Sequence, residues 1–446
     1  MAVNNSDRMG TAPVASLMWK TSIPLMLSLL VNSLYNLVDS IFVARISDEA
    51  FLALSYAYPV QMLMVAFCVG TGVGFNALLA RRLGEQRKEE AGQVAMHGFL
   101  LYGLCWLLFL VFGLFAAGAY LRTCTDSPSV IRQGTDYLAI CCCWSFGMCI
   151  QFPTERVLQS AGHPKGFMLV QGLGSIINLV LDPILIFGLD MGVAGAAAAT
   201  VAGQIISGLV GIWLVWRIRD QLPVPVRSFR FHSATLLDMC RIAAPATLMQ
   251  SLSSVMTFGL NLIFGLWSET AVWVLGVYYK LQSFVFMPIF SINNGLVSII
   301  SYNYGAKDRD RVSGAVRFGL LTAGGTAVLG AVLLSLCASP ILRLCFHAGP
   351  GALAMGVPAL RMTALCFPFA AVSVIFCSAL QSLGRSTHSL WVSLLRQILL
   401  LLPCAYGLVQ LCPNWSFLSF LAAEACSMLA AIALYRSLHR TCISTL

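Results

Sequence analysis

Two carboxylates lie inside long apolar stretches of the sequence, where an ionisable side chain is rare. Asp39 stands in the first stretch, and Asp182 stands in a later one, four residues after Asn178. That spacing places Asn178 and Asp182 on one face of a helix, and Thr200 in the next stretch adds a hydroxyl. A carboxylate in such a setting can exchange a proton when burial and hydrogen bonding balance, and the same oxygens could hold Na⁺. The residues predict an ion-coupling site.

A structural role is the alternative for both acids. Asp182 directly precedes Pro183, where a helix commonly breaks, so this carboxylate could cap a helix end. Asp39 could equally pair with a neighbour. An acid at membrane depth costs about 2.5–3.5 kcal/mol on insertion scales, which favours a functional role for both.

Three more charged residues fall inside apolar stretches of the second half of the chain: Lys280, Arg396 and Glu424. One interpretation is a structural charge network, in which Lys280 or Arg396 pairs with Glu424. The other is contact between Glu424 and a substrate. Glu155 and Arg156 end an apolar stretch, and we expect them to be interfacial and locally paired.

The composition identifies the elements that must position these groups. Of the 446 residues, 58% are hydrophobic and only 10% are charged, whereas a soluble domain carries roughly 25% charged residues. About twenty apolar residues span a bilayer as a helix. The sequence therefore predicts an all-α integral membrane protein with twelve transmembrane helices. The predicted spans are residues 17–44, 51–80, 93–120, 135–158, 166–188, 192–216, 236–266, 270–300, 313–338, 357–381, 388–411 and 415–436.

Basic residues concentrate on alternate connections between these spans. With the N-terminus in the cytoplasm, only about five fall on the opposite side: Arg45, Arg122, Arg132, Arg343 and Arg361. The positive-inside rule then places both termini in the cytoplasm. The net charge of +9 is thus a topology signal, and we expect no nucleic-acid partner.

The chain repeats itself at its midpoint. At an offset of 221 residues, Pro, Tyr, Gln and Gly positions coincide, and at 222 residues four positions of a five-residue stretch do. The matches are Pro24/Pro245, Tyr58/Tyr279, Gln61/Gln282, Gly74/Gly295, Gly84/Gly305 and residues 158–162 with 380–384. We expect two pseudo-symmetric six-helix lobes, residues 1–216 and 236–446, joined by a cytoplasmic linker, 217–235. Parallel repeats of this kind occur in secondary transporters, although a channel or flippase could also carry one.

The repeat separates a shared scaffold from unshared chemistry. Asp39 aligns with Leu260 and Asp182 with Cys404, so any ion coupling belongs to the first lobe. Pro24 and Pro245 occupy matching depths in the first helix of each lobe. They suit helices that bend during transport, and a static kink is the alternative.

These residues resemble the multidrug and toxic compound extrusion (MATE) family. The matching segments are Ile23-Pro24 with Asn36–Asp39, Phe286–Phe290 with Asn293–Gly295 and Tyr302–Ala306, and Leu158–Gly162. The resemblance covers essentially the whole chain. It implies a monomer in a bacterial inner (plasma) membrane that needs no cofactor and exports small organic molecules, driven by H⁺ or Na⁺.

The resemblance also implies which residues couple the ion. Asp39, Asn178, Asp182 and Thr200 look like the N-lobe cation site of the DinF-like branch, and Tyr137 is similar to a tyrosine associated with that site. The NorM-like branch uses acids in the seventh and tenth helices. Here the seventh offers Ser253 and no acid, and the tenth offers none.

We therefore expect a cation-coupled antiporter for organic, cationic compounds. A lipid-linked oligosaccharide flippase is the first alternative, and it would need several basic residues for a pyrophosphate, whereas only Lys280 and Arg396 are candidates. An intramembrane enzyme is the second, and it would need convergent catalytic groups. The histidines are all expected at loops or helix ends: His97, His163, His232, His347, His388 and His439.

Overall fold

The computed structural model is helical almost throughout. It describes residues 9–44, 48–222, 229–346 and 348–440, and within these the side chains of residues 32–44, 48, 51, 52, 55 and 269 fall outside the description. The helices of the first half are α1 (Val14–Ala44), α2 (Asp48–Gly84), α3 (Lys88–Phe115), α4 (Ala117–Cys124), α5 (Pro128–Cys143), α6 (Phe146–Ser160), α7 (Pro164–Pro183) and α8 (Gly192–Arg217).

The second half follows the same order. Its helices are α9 (Ser233–Gly265), α10 (Glu269–Gly305), α11 (Arg309–Leu344), α12 (Pro350–Ala364), α13 (Phe367–Ser382), α14 (Ser386–Leu394), α15 (Leu401–Leu411) and α16 (Leu418–Leu438). Two π-helical turns, Ile184–Gly188 and Leu395–Leu400, follow α7 and α14 directly.

Twelve spans are confirmed, although two of them are broken. Ten helices of the described chain are long and apolar enough to cross a bilayer, and the pairs α5–α6 and α12–α13 each complete a span with a bend of 44° and 41°. Pro368, which has no amide donor, lies in the first turn of the second helix of the latter pair. At the former break the hydroxyl of Ser145 donates to the Cys142 carbonyl at 2.7 Å, which satisfies a carbonyl freed by the break.

The repeat is visible in the backbone as well as in the sequence. Gln86 and Lys307 have φ of 60° and 58° and lie 221 residues apart, and Gly162 and Gly384 have φ of 77° and 76° at an offset of 222. A non-glycine residue rarely adopts such a conformation. These matched backbone conformations support the repeat independently of the side-chain identities that first indicated it.

The chain forms two compact units, and the boundary between them does not lie at the linker. The first unit comprises Met1–Thr11 and Ile23–Thr247, and the second comprises Ala12–Ser22 and Leu248–Leu446. Both α1 and α9 are therefore shared between units, and each changes unit within one turn of its proline, Pro24 or Pro245. The lobe boundaries at residues 216 and 236 remain a prediction.

Repeat-related glycines pack against the first turns of these shared helices. Within the first unit, a Cβ on Gly74 of α2 would lie 2.6 Å from the Met239 carbonyl oxygen of α9. Within the second, a Cβ on Gly295 of α10 would lie 3.2 Å from the side chains of Thr21 and Ser22 in α1. The Gly74/Gly295 match thus has a physical cause, since small residues let helix backbones approach closely.

One histidine departs from the expected placement. His97 lies in the third turn of α3 and is fully buried, so the expectation that all histidines lie at loops or helix ends is wrong. Its Nε2 accepts from the backbone N–H of His232 at 2.9 Å, so Nδ1 carries the proton and donates to the Gln93 carbonyl at 2.7 Å. The rings of Phe229 and Phe231 flank it. His97 thereby attaches the end of the linker to α3, which is a structural role.

Candidate functional site

A buried polar cluster joins α7 to α8 in the first unit. Asp182 is fully buried and Asn178 is 2% exposed. The amide oxygen of Asn178 accepts from the backbone N–H and the hydroxyl of Thr200, both at 3.0 Å, and its nitrogen donates to Asp182 Oδ2 at 3.1 Å. In the reverse orientation, the Asn178 amide nitrogen would face the backbone N–H of Thr200, and both groups are donors. Three of the residues expected at an ion site are therefore in one hydrogen-bonded chain.

Small residues bring the two helices close enough for this chain to form. A Cβ on Gly203 of α8 would lie only 2.6 Å from the Gly174 carbonyl oxygen of α7. Because the backbones nearly touch, the short Asn178 side chain can reach the first turns of α8. The polar cluster thus depends on the run of glycine and alanine around Thr200.

The position of Asp182 argues against a capping role. An acid stabilises the N-terminal end of a helix, where the dipole is positive, but Asp182 is at the C-terminal end of α7. Pro183 follows it, and the chain then continues as the π-helical turn Ile184–Gly188. Such turns occur frequently at functional sites. A buried carboxylate placed against the helix dipole needs another reason to be there.

Tyr137 belongs to a second polar group of the same unit. It lies buried on α5, and Gln61 of α2 donates to its hydroxyl oxygen at 2.7 Å. Gln61 also lies 3.9 Å from the Cys141 sulfur. Sequence reasoning used Gln61 only as a repeat match and missed it as a site residue. A signal was available, because a glutamine inside a predicted span must find polar partners.

Asp39 cannot be placed in the same way. The backbone of α1 includes it, but its side chain lies outside the described residues. Its membership of the ion-coupling set stays a prediction.

The second unit brings Arg396 and Glu424 together. Arg396, in the π-helical turn Leu395–Leu400, lies 3.6 Å from Glu424 of α16, measured from Nη1 to Oε2, and their side chains are 22% and 13% exposed. Ser427 donates to the same carboxylate oxygen at 3.5 Å. Lys280 is exposed and forms no ion pair within the described chain. The structure therefore places Arg396, rather than Lys280, beside Glu424.

Removing one partner, and then replacing both by apolar residues, tests whether this pair is structural. Because a lost partner leaves a half-buried charge uncompensated, Glu424→Gln alone should cost about 1–3 kcal/mol of stability. Glu424→Leu combined with Arg396→Met should recover most of that loss. Thermal unfolding of the purified protein measures both effects. A double variant with normal stability but no transport would instead show that the pair serves transport rather than the fold.

Two further expectations about acids need correction. Glu155 and Arg156 were expected to be interfacial and locally paired, but both are buried in α6. Glu155 accepts from Gln151 at 2.9 Å, and Arg156 donates to Gln159 at 2.9 Å. The seventh helix, expected to offer no acid, contains Asp238 near its start, which pairs at 3.2 Å with Arg241 at the exposed end of α9. That ion pair lies four helical turns from Ser253.

An apolar cavity of about 390 Å³ lies between α2, α3 and α4. Its aromatic members are Phe67, Phe109, Phe112 and Tyr120. Phe67 and Phe109 meet edge to face with ring centroids 5.6 Å apart. This apolar, aromatic lining would suit an apolar, planar molecule.

The helix count and the backbone repeat define a class: a multi-pass membrane protein built from two related halves. A family model described as MatE matches the chain twice, over residues 24–184 and 245–406. The chain therefore belongs to the MatE family, the multidrug and toxic compound extrusion transporters, and it is a transporter and not an enzyme.

Curated relatives match over nearly the full length. An FAD transporter of Shewanella oneidensis is 26% identical over 424 residues, which cover 90% of this chain and 89% of that protein. The multidrug export protein MepA of Staphylococcus aureus is 22% identical and covers 97% and 96%. A crystal structure of a MATE protein in the bent conformation superposes with a TM-score of 0.93 at 23% identity, over 99% and 98% of the two chains.

Proposed function

We propose that this transporter is a cation-coupled antiporter that exports organic, cationic compounds by alternating access. The observation that carries the proposal is Asp182, a fully buried carboxylate held by Asn178. A buried carboxylate is costly unless a positive charge joins it. A proton or Na⁺ bound by Asp182 and Asp39 would supply that positive charge, as in the DinF-like branch.

Ion binding drives transport only if the ion binds one conformation more tightly than the other. Asp182 precedes a proline and a π-helical turn, which are places where a helix can change its path without losing a whole ladder of hydrogen bonds. Pro24 and Pro245 stand where α1 and α9 change from one unit to the other. We propose that loading the carboxylates biases the bending of these helices.

Charge pairing makes the flippase alternative weaker. A pyrophosphate carrier needs free cations in its cavity, and the Arg396 guanidinium already lies beside the Glu424 carboxylate. Only Lys280 then remains of the two candidates. We further propose the bacterial plasma membrane as location, with cytoplasmic termini and a monomeric chain.

A vesicle experiment identifies the coupling ion. In proteoliposomes with an imposed pH gradient and no sodium, a proton-coupled transporter should export a cationic dye, and a sodium gradient alone should not drive it. The reverse result assigns Na⁺. Transport that ignores both gradients would contradict antiport altogether.

The same vesicles can test the substrate class. The relative named as an FAD transporter makes an anionic dinucleotide the alternative to a cationic compound. Competition between FAD and the dye for export, measured in one preparation, distinguishes them. Export of FAD with no export of the dye would overturn the cationic assignment.

A further inference from the structure

The last turns of α8 carry an exposed surface that differs from an ordinary lipid-facing helix. Leu209, Ile212, Trp213 and Trp216 form one stripe at helical spacing, and both indoles are about half exposed, at 46% and 58%. Tryptophans at the end of a spanning helix lie at the level of the lipid headgroups. The stripe therefore reaches the membrane surface at Trp216.

Two arginines fold back onto these tryptophans. The Arg217 guanidinium carbon lies 4.1 Å from the Trp213 ring centroid, and that of Arg219 lies 4.6 Å from the Trp216 ring. Long basic side chains near a membrane usually extend toward water. Here the rings instead hold both guanidiniums back along the helix, next to the lipid-facing stripe.

Stacking leaves the hydrogen-bonding edge of each guanidinium available. Neither Arg217 nor Arg219 forms an ion pair with any carboxylate in the described part of the chain, and neither makes a side-chain hydrogen bond there. The neighbouring Asp220 is exposed and also unpaired with them. By contrast, Arg81, Arg82, Arg87 and Arg241 of the same unit all lie against carboxylates.

A further basic residue lies at the same end. His163, just before α7, donates through Nε2 to the Gln221 side-chain oxygen at 2.9 Å. This contact brings the start of α7, with the exposed Lys165, beside the end of α8. The surface thus combines an apolar stripe, two oriented guanidiniums and a lysine.

We infer that the end of α8 binds the headgroup of an anionic phospholipid. A planar guanidinium with a free edge matches phosphate oxygens two at a time, which a lysine ammonium cannot do. The stripe from Leu209 to Trp216 receives the acyl chains below that headgroup. The inference is independent of the ion site, because it concerns a surface of α8 that lies apart from Thr200.

Lipid binding to the full-length protein tests the inference. The probe is cardiolipin added to the transporter in a neutral detergent, with phosphatidylcholine and inorganic pyrophosphate as comparisons. Bound lipid is counted by native mass spectrometry, and stabilisation is measured as the shift in Tm. We expect cardiolipin to bind and raise the Tm, and the other two probes to do neither.

Variants distinguish a built site from general attraction. Arg217→Gln with Arg219→Gln should weaken cardiolipin binding roughly thirtyfold, whereas the matched control Arg241→Gln should bind normally, because that arginine already has a carboxylate partner. The lysine variant, Arg217→Lys with Arg219→Lys, should recover only part of the affinity. Unchanged binding in the glutamine variant, or full recovery with lysine, would overturn the proposed site.

Discussion

Cells that produce the Asp182→Asn variant should be as drug-sensitive as cells without the transporter, although the variant accumulates normally. Asparagine has the shape of aspartate but can bind neither a proton nor Na⁺ as a counter-charge, so the coupling step is lost. The fold should tolerate the change, because the new side-chain oxygen can still accept from Asn178. Removing a buried charge also removes its desolvation cost.

Asp190→Asn is the matched control. This aspartate lies eight residues further along the same segment, but it is exposed and has a φ of 51°. Asparagine tolerates that backbone conformation well, so resistance should be unchanged. Resistance is measured as the minimum inhibitory concentration of cationic compounds, with protein quantified in membranes. Normal resistance in Asp182→Asn would end its assignment as a coupling residue.

Asp39→Asn should give the same loss. Since the Asp39 side chain is outside the described residues, this variant tests a prediction made from sequence and family resemblance alone. A difference between the two variants would be informative. If only Asp182→Asn fails, the ion site consists of the α7–α8 cluster without α1.

The spans could be predicted because lipid demands the same property of every spanning helix, a long apolar stretch. The breaks within two spans could not, since the stretches around Ser145 and Cys366 stay apolar across the bend. What ends each helix there is a single local feature, such as a hydroxyl that bonds a carbonyl or a proline without a donor. The hydrophobicity of the sequence reveals neither the hydroxyl bond nor the effect of the proline.

The site was partly predictable for a similar reason. Asn178, Asp182 and Thr200 stand out as polar residues in apolar surroundings, and the Asn178–Asp182 spacing already implied one helical face. Their contact across α7 and α8 depends on Gly174 and Gly203, whose close approach is a three-dimensional fact. Glu155 was misplaced because an acid next to an arginine looks like a local pair, whereas adjacent helical residues point in different directions.

The lobes share packing and differ in charge. The glycines that receive the first turns of α1 and α9 occur at repeat-related positions, and so do the left-handed residues after α2 and α10. The buried Asp182 of the first unit has no counterpart, since Cys404 stands in its place. The second unit instead has a carboxylate already compensated by Arg396.

Gly74→Ala should be strongly damaging to this scaffold. The new Cβ would meet the Met239 carbonyl oxygen at 2.6 Å and the Ala243 nitrogen at 2.9 Å, and both are backbone atoms that cannot rotate away. Overpacking of this kind costs about 1–3 kcal/mol. The start of α9 would have to move, so we expect a lower apparent Tm and a parallel loss of transport.

Two other glycine-to-alanine variants serve as comparisons for Gly74→Ala. Gly295→Ala, at the repeat-related position, meets only the side chains of Thr21 and Ser22 at 3.2 Å, so these can yield and the loss should be smaller. Gly103→Ala on α3 meets nothing within 4 Å and should be neutral or gain up to about 1 kcal/mol from helix propensity. We therefore expect the highest Tm for Gly103→Ala, a lower Tm for Gly295→Ala and the lowest for Gly74→Ala. Equal values for Gly74→Ala and Gly103→Ala would show that α2 and α9 do not pack as closely as the structure has them.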